Sequence, residues 1–438
     1  MHGHMNPSER PAWHFTPRRG WINDPNGLVY DGAQYHLFAQ HNPVDIVPGA
    51  MHWLHATSPD LLHWQERGIA LAPDALGEIY SGSAVLDREN TAGFGAGALV
   101  CVFTHHGARE QQSLAYSLDG GSSFTKYAHN PVLENHHRRN FRDPKVFQTA
   151  QGWHMVLAAG KELLFYRSSD LRHWTHSGTL PLRTHGVLEC PDVFPLDGAW
   201  VLVYSVNGLH RWKAYQSYYQ IGHFDGDTFH AHWAPQRLDW GADHYAAATF
   251  SGTDEVIQLG WASHWGYSHA VPAEQWRGAM TLPRRLSLRS TAQGLRLAAT
   301  PVLPTLPEAH SVQGHIALTG EAFMLKLTAP GAFVCTLQGA HGERFRFGRD
   351  AKGCLFANRR HVGGAQLPAK MRGKSLGTTR TPPLGAGDWC IVYDHGLCEI
   401  FADNGLTVCT FLVGRGEKTE GRVVLEGLSA DFCPLPSV

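Results

Sequence analysis

Ser58-Pro59-Asp60-Leu61-Leu62-His63-Trp64 returns later in the chain as Ser168-Ser169-Asp170-Leu171-Arg172-His173-Trp174. Weaker copies stand at Ser117-Leu118-Asp119-Gly120 and Phe224-Asp225-Gly226-Asp227. The four aspartates recur roughly every 50–60 residues, a period that belongs to repeat architectures. Each phrase follows a pair of strand-like runs and precedes another. Those runs are short, alternate apolar with polar residues, and are broken by Gly, Asp and Asn. Examples are GLVYDGAQYHLFAQ (27–40), ALVCVFTHH (98–106), WHMVLAAGKELLFYRS (153–168) and AWVLVYSVNG (199–208). Period-two alternation rich in β-branched and aromatic residues reads as strand, and no amphipathic helix longer than about three turns emerges. A spaced repeat holding about four strands predicts the blades of a β-propeller, and the stretch from Trp21 to about Leu288 has room for five.

The texture then changes. Residues 291–310 carry Pro301, Pro304 and Pro307 and read as a linker. Beyond them come AFMLKLTA (322–329), AFVCTLQG (332–339), DWCIVYDHGLCEIFADNG (388–405), LTVCTFLV (406–413) and GRVVLEG (421–427). These predict an antiparallel β-sandwich over 311–438. The expected fold class is therefore all-β: a five-bladed propeller over 1–290, a linker over 291–310, and a sandwich.

The 438 residues carry a formal net charge of −1, with Lys and Arg scattered. A nucleic-acid or anionic-membrane partner would need a basic face, so neither is expected. No stretch approaches the ~20 apolar residues that cross a bilayer. The 14 Trp and 13 Tyr offer flat apolar faces on which sugar rings stack. None of the eight Cys forms a C-x-x-C pair, so neither a zinc nor a redox site is indicated. The first residues show no apolar core of a signal peptide. A cytoplasmic protein with free thiols is the expectation.

Three motifs set a carboxylate among turn-formers and aromatics. In Trp21-Ile22-Asn23-Asp24-Pro25-Asn26-Gly27, the Asp before Pro is pushed out of the helical region and Asn-Gly turns the chain. Phe141-Arg142-Asp143-Pro144 repeats the Asp-Pro pair beside a guanidinium that would keep Asp143 ionised. In Leu188-Glu189-Cys190-Pro191-Asp192 the Glu stands between apolar neighbours, and desolvation there would favour a proton-carrying acid. Alone, each reads equally as a turn Asp, a surface ion pair or a strand-edge Glu. Together they fall on three different blades whose first strands line one central channel. Converging carboxylates are expensive to bury without a purpose, and glycoside cleavage needs such a set.

In order and spacing these motifs resemble those of glycoside hydrolase family 32, the invertase and fructanase family. The resemblance covers essentially the whole chain, from His14-Phe15-Thr16-Pro17 to Glu399-Ile400-Phe401, and includes Asp243-His244-Tyr245-Ala246-Ala247 and Trp276-Arg277-Gly278-Ala279-Met280. It implies a propeller followed by a sandwich, and a retaining cleavage that releases terminal β-fructofuranosyl units from sucrose and fructo-oligosaccharides. In that reading Asp24 is the nucleophile, Glu189 the acid/base and Asp143 the transition-state stabiliser, while Arg142 holds Asp143 and a sugar oxygen. Asn23, Gln40, Trp53, Tyr80, Ser81, Arg142 and Trp265 are the implied substrate-binding residues. No metal or organic cofactor is implied, the partner is a small sugar, and the assembly is a monomer or homodimer.

Departures fall on the pocket walls. Pro48 stands where the family often has Trp, Leu54 where Gly is common, Ala248 at a frequent Gln position and His244 at a frequent Phe. Substrate preference is therefore open. A fructosyltransferase would use the same intermediate, and a sucrose-6-phosphate hydrolase would recruit Arg138, Arg139 or Lys161. A non-catalytic fructan-binding propeller would usually have lost a carboxylate, and all three are present.

Overall fold

The computed structural model describes residues 10–208, 215–318, 322–339, 342–362, 368–373, 376–413 and 421–436. Among them the chain is almost entirely strand, arranged as five small antiparallel sheets followed by one large one. The innermost strands of the five small sheets are Gly20–Tyr30, Glu78–Asp87, Phe141–Thr149, Val187–Leu196 and Tyr245–Thr249. Each packs against the next, and the fifth returns to the first, so they line a central channel. This is the expected five-bladed propeller. The ring is sealed by Trp276–Arg277, which runs parallel to Gly20 and Trp21, and by a bridge from Ser251 to Val29.

The recurring Ser-Asp phrase is the turn between the third and fourth strands of blades one to four. Asp60 accepts the backbone N–H groups of Leu62 and His63 at 3.0 and 2.9 Å, while Leu61 adopts a left-handed φ of 72°. Asp170 does the same for Arg172 and His173, with Leu171 at 61°. A short carboxylate side chain thus satisfies two backbone donors that the turn strands. Blade five lacks the phrase because its outer hairpin, Arg284–Thr291 to Gly294–Pro301, turns in two residues with Gly294 at a φ of 99°.

That hairpin moves the expected domain boundary. Strand Gly294–Pro301 is the fourth strand of blade five, so the propeller extends to residue 301. Only 302–309 connects the domains, and the sandwich begins with strand His310–Leu318. The alternation of Leu295 and Leu297 with Arg296, and of Ala299 with Thr300, carries the strand signal, and only Pro304 and Pro307 lie in the connector.

The sandwich is one sheet folded over on itself. Its last strand, Gly421–Pro434, pairs with Phe333–Gln338 through its first half and with Ala322–Leu327 through its second. Gly427, at a φ of 87°, stands between the halves, where the strand passes from one layer to the other. Phe323, Phe333, Phe347, Trp389, Ile391, Ile400 and Phe411 fill the space between the layers. Strands Arg344–Arg349, Cys354–His361 and Thr378–Pro383 escape the sequence reading; Arg344-Phe345-Arg346-Phe347 does alternate, whereas the other two carry no clear alternation.

A buried polar seam joins the two domains. Glu399 of the sandwich accepts Leu282 N–H at 2.6 Å and Arg284 Nη2 at 2.5 Å, and meets His14 Nε2 at 3.1 Å. Arg284 also pairs with Asp239 at 3.0 Å, and His14 Nδ1 with Asp394 at 2.7 Å. Burial resists charge on Glu399, but Arg284 and His14 overcome it and hold the carboxyl down to about 2. Burial likewise opposes a charged His14, yet its two carboxylate partners raise the ring to about 9. A second link joins Arg359 of the sandwich to Asp243 and Tyr267 of the propeller. Because both faces are dry, removing one charge strands its partners. Arg284→Met should cost about 3–5 kcal/mol of unfolding free energy, measured by guanidinium titration. A loss below about 1 kcal/mol would show that the seam is not a stabilising contact.

Candidate active site

Every inner strand is interrupted near its start by a β-bulge. In blade one Ile22 pairs with His41 and Pro25 with Ala39, so Asn23 and Asp24 together face Gln40. In blade two Ser81 is the extra residue between Tyr80 and Gly82. Asp143 and Pro144 are the unpaired pair in blade three, Cys190 and Pro191 in blade four, and Ala246 and Ala247 in blade five. A bulge bends the strand and re-aims its side chains. Prolines 25, 144 and 191 have no N–H to offer the ladder, which locates three of the five breaks. Asp143, Cys190 and Ala246 take left-handed φ values of 63°, 46° and 51°. That conformation is costly for residues other than glycine, and it is held here by the surrounding blades.

The bulges bring the three carboxylates together. Asp24 Oδ1 accepts Asn23 Nδ2 at 3.0 Å and Oδ2 accepts Ser81 Oγ at 2.8 Å. Trp21 Nε1 in turn fixes Asn23 at 2.7 Å. The Cys190 thiol lies 3.5 Å from Asp24 Oδ2 and 3.7 Å from Asp143 Oδ2, so one sulfur touches both carboxylates. The Cys190 backbone N–H donates to Asp143 Oδ2 at 3.0 Å. Burial raises Asp24 above its ordinary value; the Asn23 bond opposes this, the Glu189 charge adds to it, and the Ser81 bond opposes it.

Glu189 is gripped by three donors. Arg142 Nη2 reaches Oε1 at 2.7 Å, Asn207 Nδ2 reaches the same oxygen at 3.1 Å, and the Tyr245 hydroxyl donates to Oε2 at 2.6 Å. The apolar surroundings expected from Leu188 and Cys190 are thus replaced by a polar clasp, because Leu188 packs into the core between blades three and four while the Cys190 thiol turns to Asp24 and Asp143. Arg142 is likewise bound to Glu189 rather than to Asp143, whose nearest oxygen is 3.9 Å from Nε. Nor does the guanidinium keep Asp143 fully ionised. Burial dominates, Arg142 opposes it, the charges on Glu189 and Asp24 add to it, and Asp143 is pushed up to about 7.

The implied binding residues divide into two groups. Asn23, Ser81 and Arg142 belong to the carboxylate cluster itself. Gln40 donates to Ile79 O at 2.9 Å behind the bulge. Tyr80 stacks on His106 at 4.0 Å, and Trp265 packs against Trp21 and Trp261 beside Cys190. Trp53 is different. It is completely buried against Phe38 and Phe103, with its indole N–H on Tyr80 O at 3.0 Å. It braces the wall that carries Tyr80 and presents no face to a ligand. Tyr245 and Asn207 were missed as site residues. Tyr245 borders a bulge within the quoted Asp243–Ala247 motif and so had a signal; Asn207 had none.

The high Asp143 value gives a signed test. Its carboxyl titrates near 7 in the fold, against an ordinary value of 3.8. Between those values the folded state binds more protons than the unfolded, so the contribution of Asp143 to stability falls as pH rises, then flattens above about 7. Asp143→Asn removes this penalty. The variant should melt above the parent at pH 8, and the difference should shrink towards pH 4. Equal differences at both pH values in scanning calorimetry would refute it.

Residues 14–301 match the model of the glycosyl hydrolases family 32 N-terminal domain. The levanase of Bacillus subtilis is 37% identical over 459 residues, an alignment covering 94% of this chain and 67% of the levanase. The invertase of Schizosaccharomyces pombe is 37% identical, with 69% of this chain and 57% of the invertase aligned. The chain thus spans between about half and two thirds of these two relatives. The extracellular exo-inulinase of Meyerozyma guilliermondii is 33% identical, covering 96% of this chain and 92% of its own. Among solved structures, the exo-inulinase of Aspergillus awamori superimposes over the whole of both chains with a TM-score of 0.88 and 29% identity. The β-fructofuranosidase of Schwanniomyces occidentalis, complexed with fructosyl-erythritol, gives 0.88 at 27% identity, with 97% of both chains aligned. With its propeller, its sandwich and three carboxylates meeting at the bulged strands, the chain belongs to glycosyl hydrolases family 32.

Proposed function

We propose that the protein is a retaining β-fructofuranosidase that releases terminal β-fructofuranosyl units from sucrose and fructo-oligosaccharides. The observation that carries this reading is the single cluster of Asp24, Asp143 and Glu189, in which Cys190 touches both aspartates and Arg142 binds Glu189. An Asp24 oxygen attacks the anomeric C2 as the C2–O bond to the leaving group breaks, and Glu189 gives that oxygen its proton. Glu189, now a carboxylate, takes a proton from water; the water oxygen bonds to C2 and the ester to Asp24 breaks. The Tyr245 hydroxyl, both donor and acceptor, can serve Glu189 in either state. Asp143 faces the fructosyl hydroxyls, and its bonds strengthen as positive charge builds on the ring.

Relatives named levanase, invertase and exo-inulinase support fructosyl transfer to water over a binding role. A phosphorylated substrate is less favoured, since Arg138 is already paired with Glu162 at 2.8 Å. All eight cysteines are free, which suits a reducing compartment, and we place the protein in the cytoplasm on that ground.

Asp24→Asn and Glu189→Gln should each lower kcat on sucrose by at least ~10³ with the fold retained. Incubating the parent with sucrose, raffinose, inulin, levan and sucrose-6-phosphate, followed by chromatography, should show free fructose as the main product from unphosphorylated substrates. Longer oligomers as the main product would replace hydrolysis with transfer, and no fructose from any of them would end the reading.

A further inference from the structure

Arg142 poses a problem for the proposed chemistry. A full positive charge stands 2.7 Å from Glu189, yet the first step needs Glu189 to carry a proton. The opposite side of the same guanidinium is occupied by Glu110, at the start of the third strand of blade two. Arg142 Nη1 donates to Glu110 Oε1 at 3.0 Å and lies 3.3 Å from Oε2. The Asn140 side chain also accepts from Nη1, at 2.9 Å. The Phe141 N–H donates to Glu110 Oε2 at 2.6 Å, so the carboxylate also pins the first residue of the strand that bears Arg142 and Asp143. The guanidinium therefore stands between two carboxylates, one reacting and one not. The side chains of Arg142 and Glu110 are only 12% and 11% exposed, so water screens this pair weakly.

We infer that Glu110 is a positioning residue for Glu189: by serving as the resident counter-ion of Arg142, it offsets the charge that would otherwise keep the acid/base from holding its proton. The inference rests on the proposed glycosidase reading. Burial opposes charge on Glu110, but His106 and Arg142 outweigh it and keep this carboxyl below its ordinary value. Glu110 therefore stays ionised while Glu189 cycles. The charged and titratable groups around the pair are Asp24, Asp143, Cys190 and Tyr245 on the Glu189 side, and His106 and Tyr80 on the Glu110 side. His106 Nδ1 lies 3.3 Å from Glu110 Oε1 at the partly exposed end of the chain of contacts.

Glu110→Gln keeps an oxygen for Phe141 N–H or Arg142 while removing the charge. In the kcat/KM profile for sucrose, its alkaline limb, which reports loss of the acid proton, should move down by about one pH unit. Activity below that limb should stay within about threefold of the parent. On β-D-fructofuranosyl fluoride, whose leaving group departs without a proton, the displacement should vanish. Glu110→Asp, which restores the charge, should return the limb towards its parental position. An unmoved limb in folded Glu110→Gln overturns the inference, as does an equal loss on sucrose and the fluoride at every pH, which marks a purely structural role. Failure of the parent to release fructose overturns the glycosidase reading instead, so the two failures are distinguishable.

Discussion

The central constraint is a bulge repeated five times at the mouth of the channel. In a regular strand, successive side chains alternate between faces and every backbone group is committed to the ladder. Five such strands would line the channel only with every second residue. The extra residue in each inner strand breaks that alternation at one level of the propeller. Asp24, Ser81, Asp143 and Cys190 are thereby turned into the same space. The cost is paid in left-handed φ values at Asp143, Cys190 and Ala246, which only the packed blades around them can enforce.

Charge balance follows from that geometry. Three carboxylates share a partly dry space with one guanidinium, and a fourth carboxylate stands behind it. Desolvation, and after it their mutual repulsion, raises Asp24 and Asp143, whereas Arg142 and hydrogen bonds from Asn23, Ser81 and Cys190 restrain the rise. The donors are ordinary side chains and one backbone N–H: Ser81 and Cys190 come from neighbouring blades, and Asn23 from the strand of Asp24 itself. No single blade holds a working set.

Among the described residues the sandwich contributes none to this cluster, yet it is joined to the propeller through charge. Glu399, Asp394 and Arg359 reach into the propeller, whose His14, Arg284 and Asp243 meet them in dry surroundings. Asp243 and Tyr245 lie one residue apart on either side of His244, so the segment that delivers Tyr245 to Glu189 is anchored on the sandwich. The second domain thus bears on the site through the backbone of blade five.

The sequence by itself determined the repeat, the strand texture and the three Asp-Pro and Glu-Cys-Pro motifs, because turn chemistry and alternation are local and leave their mark on neighbouring residues. Its reading of the linker failed where proline was weighed above the alternation of Leu295, Leu297 and Ala299. It also made Trp53 a ligand contact, since a sequence does not say which face of a strand an indole takes. Only the tertiary structure decided that Arg142 clasps Glu189, that Tyr245 and Asn207 complete the clasp, and that Glu110 backs the guanidinium. Arg142, Tyr245 and Glu110 come from other blades than the groups they serve, and Asn207 from the next strand of the Glu189 blade; these distances are fixed by how strands and sheets pack around the channel, which no local pattern of residues encodes.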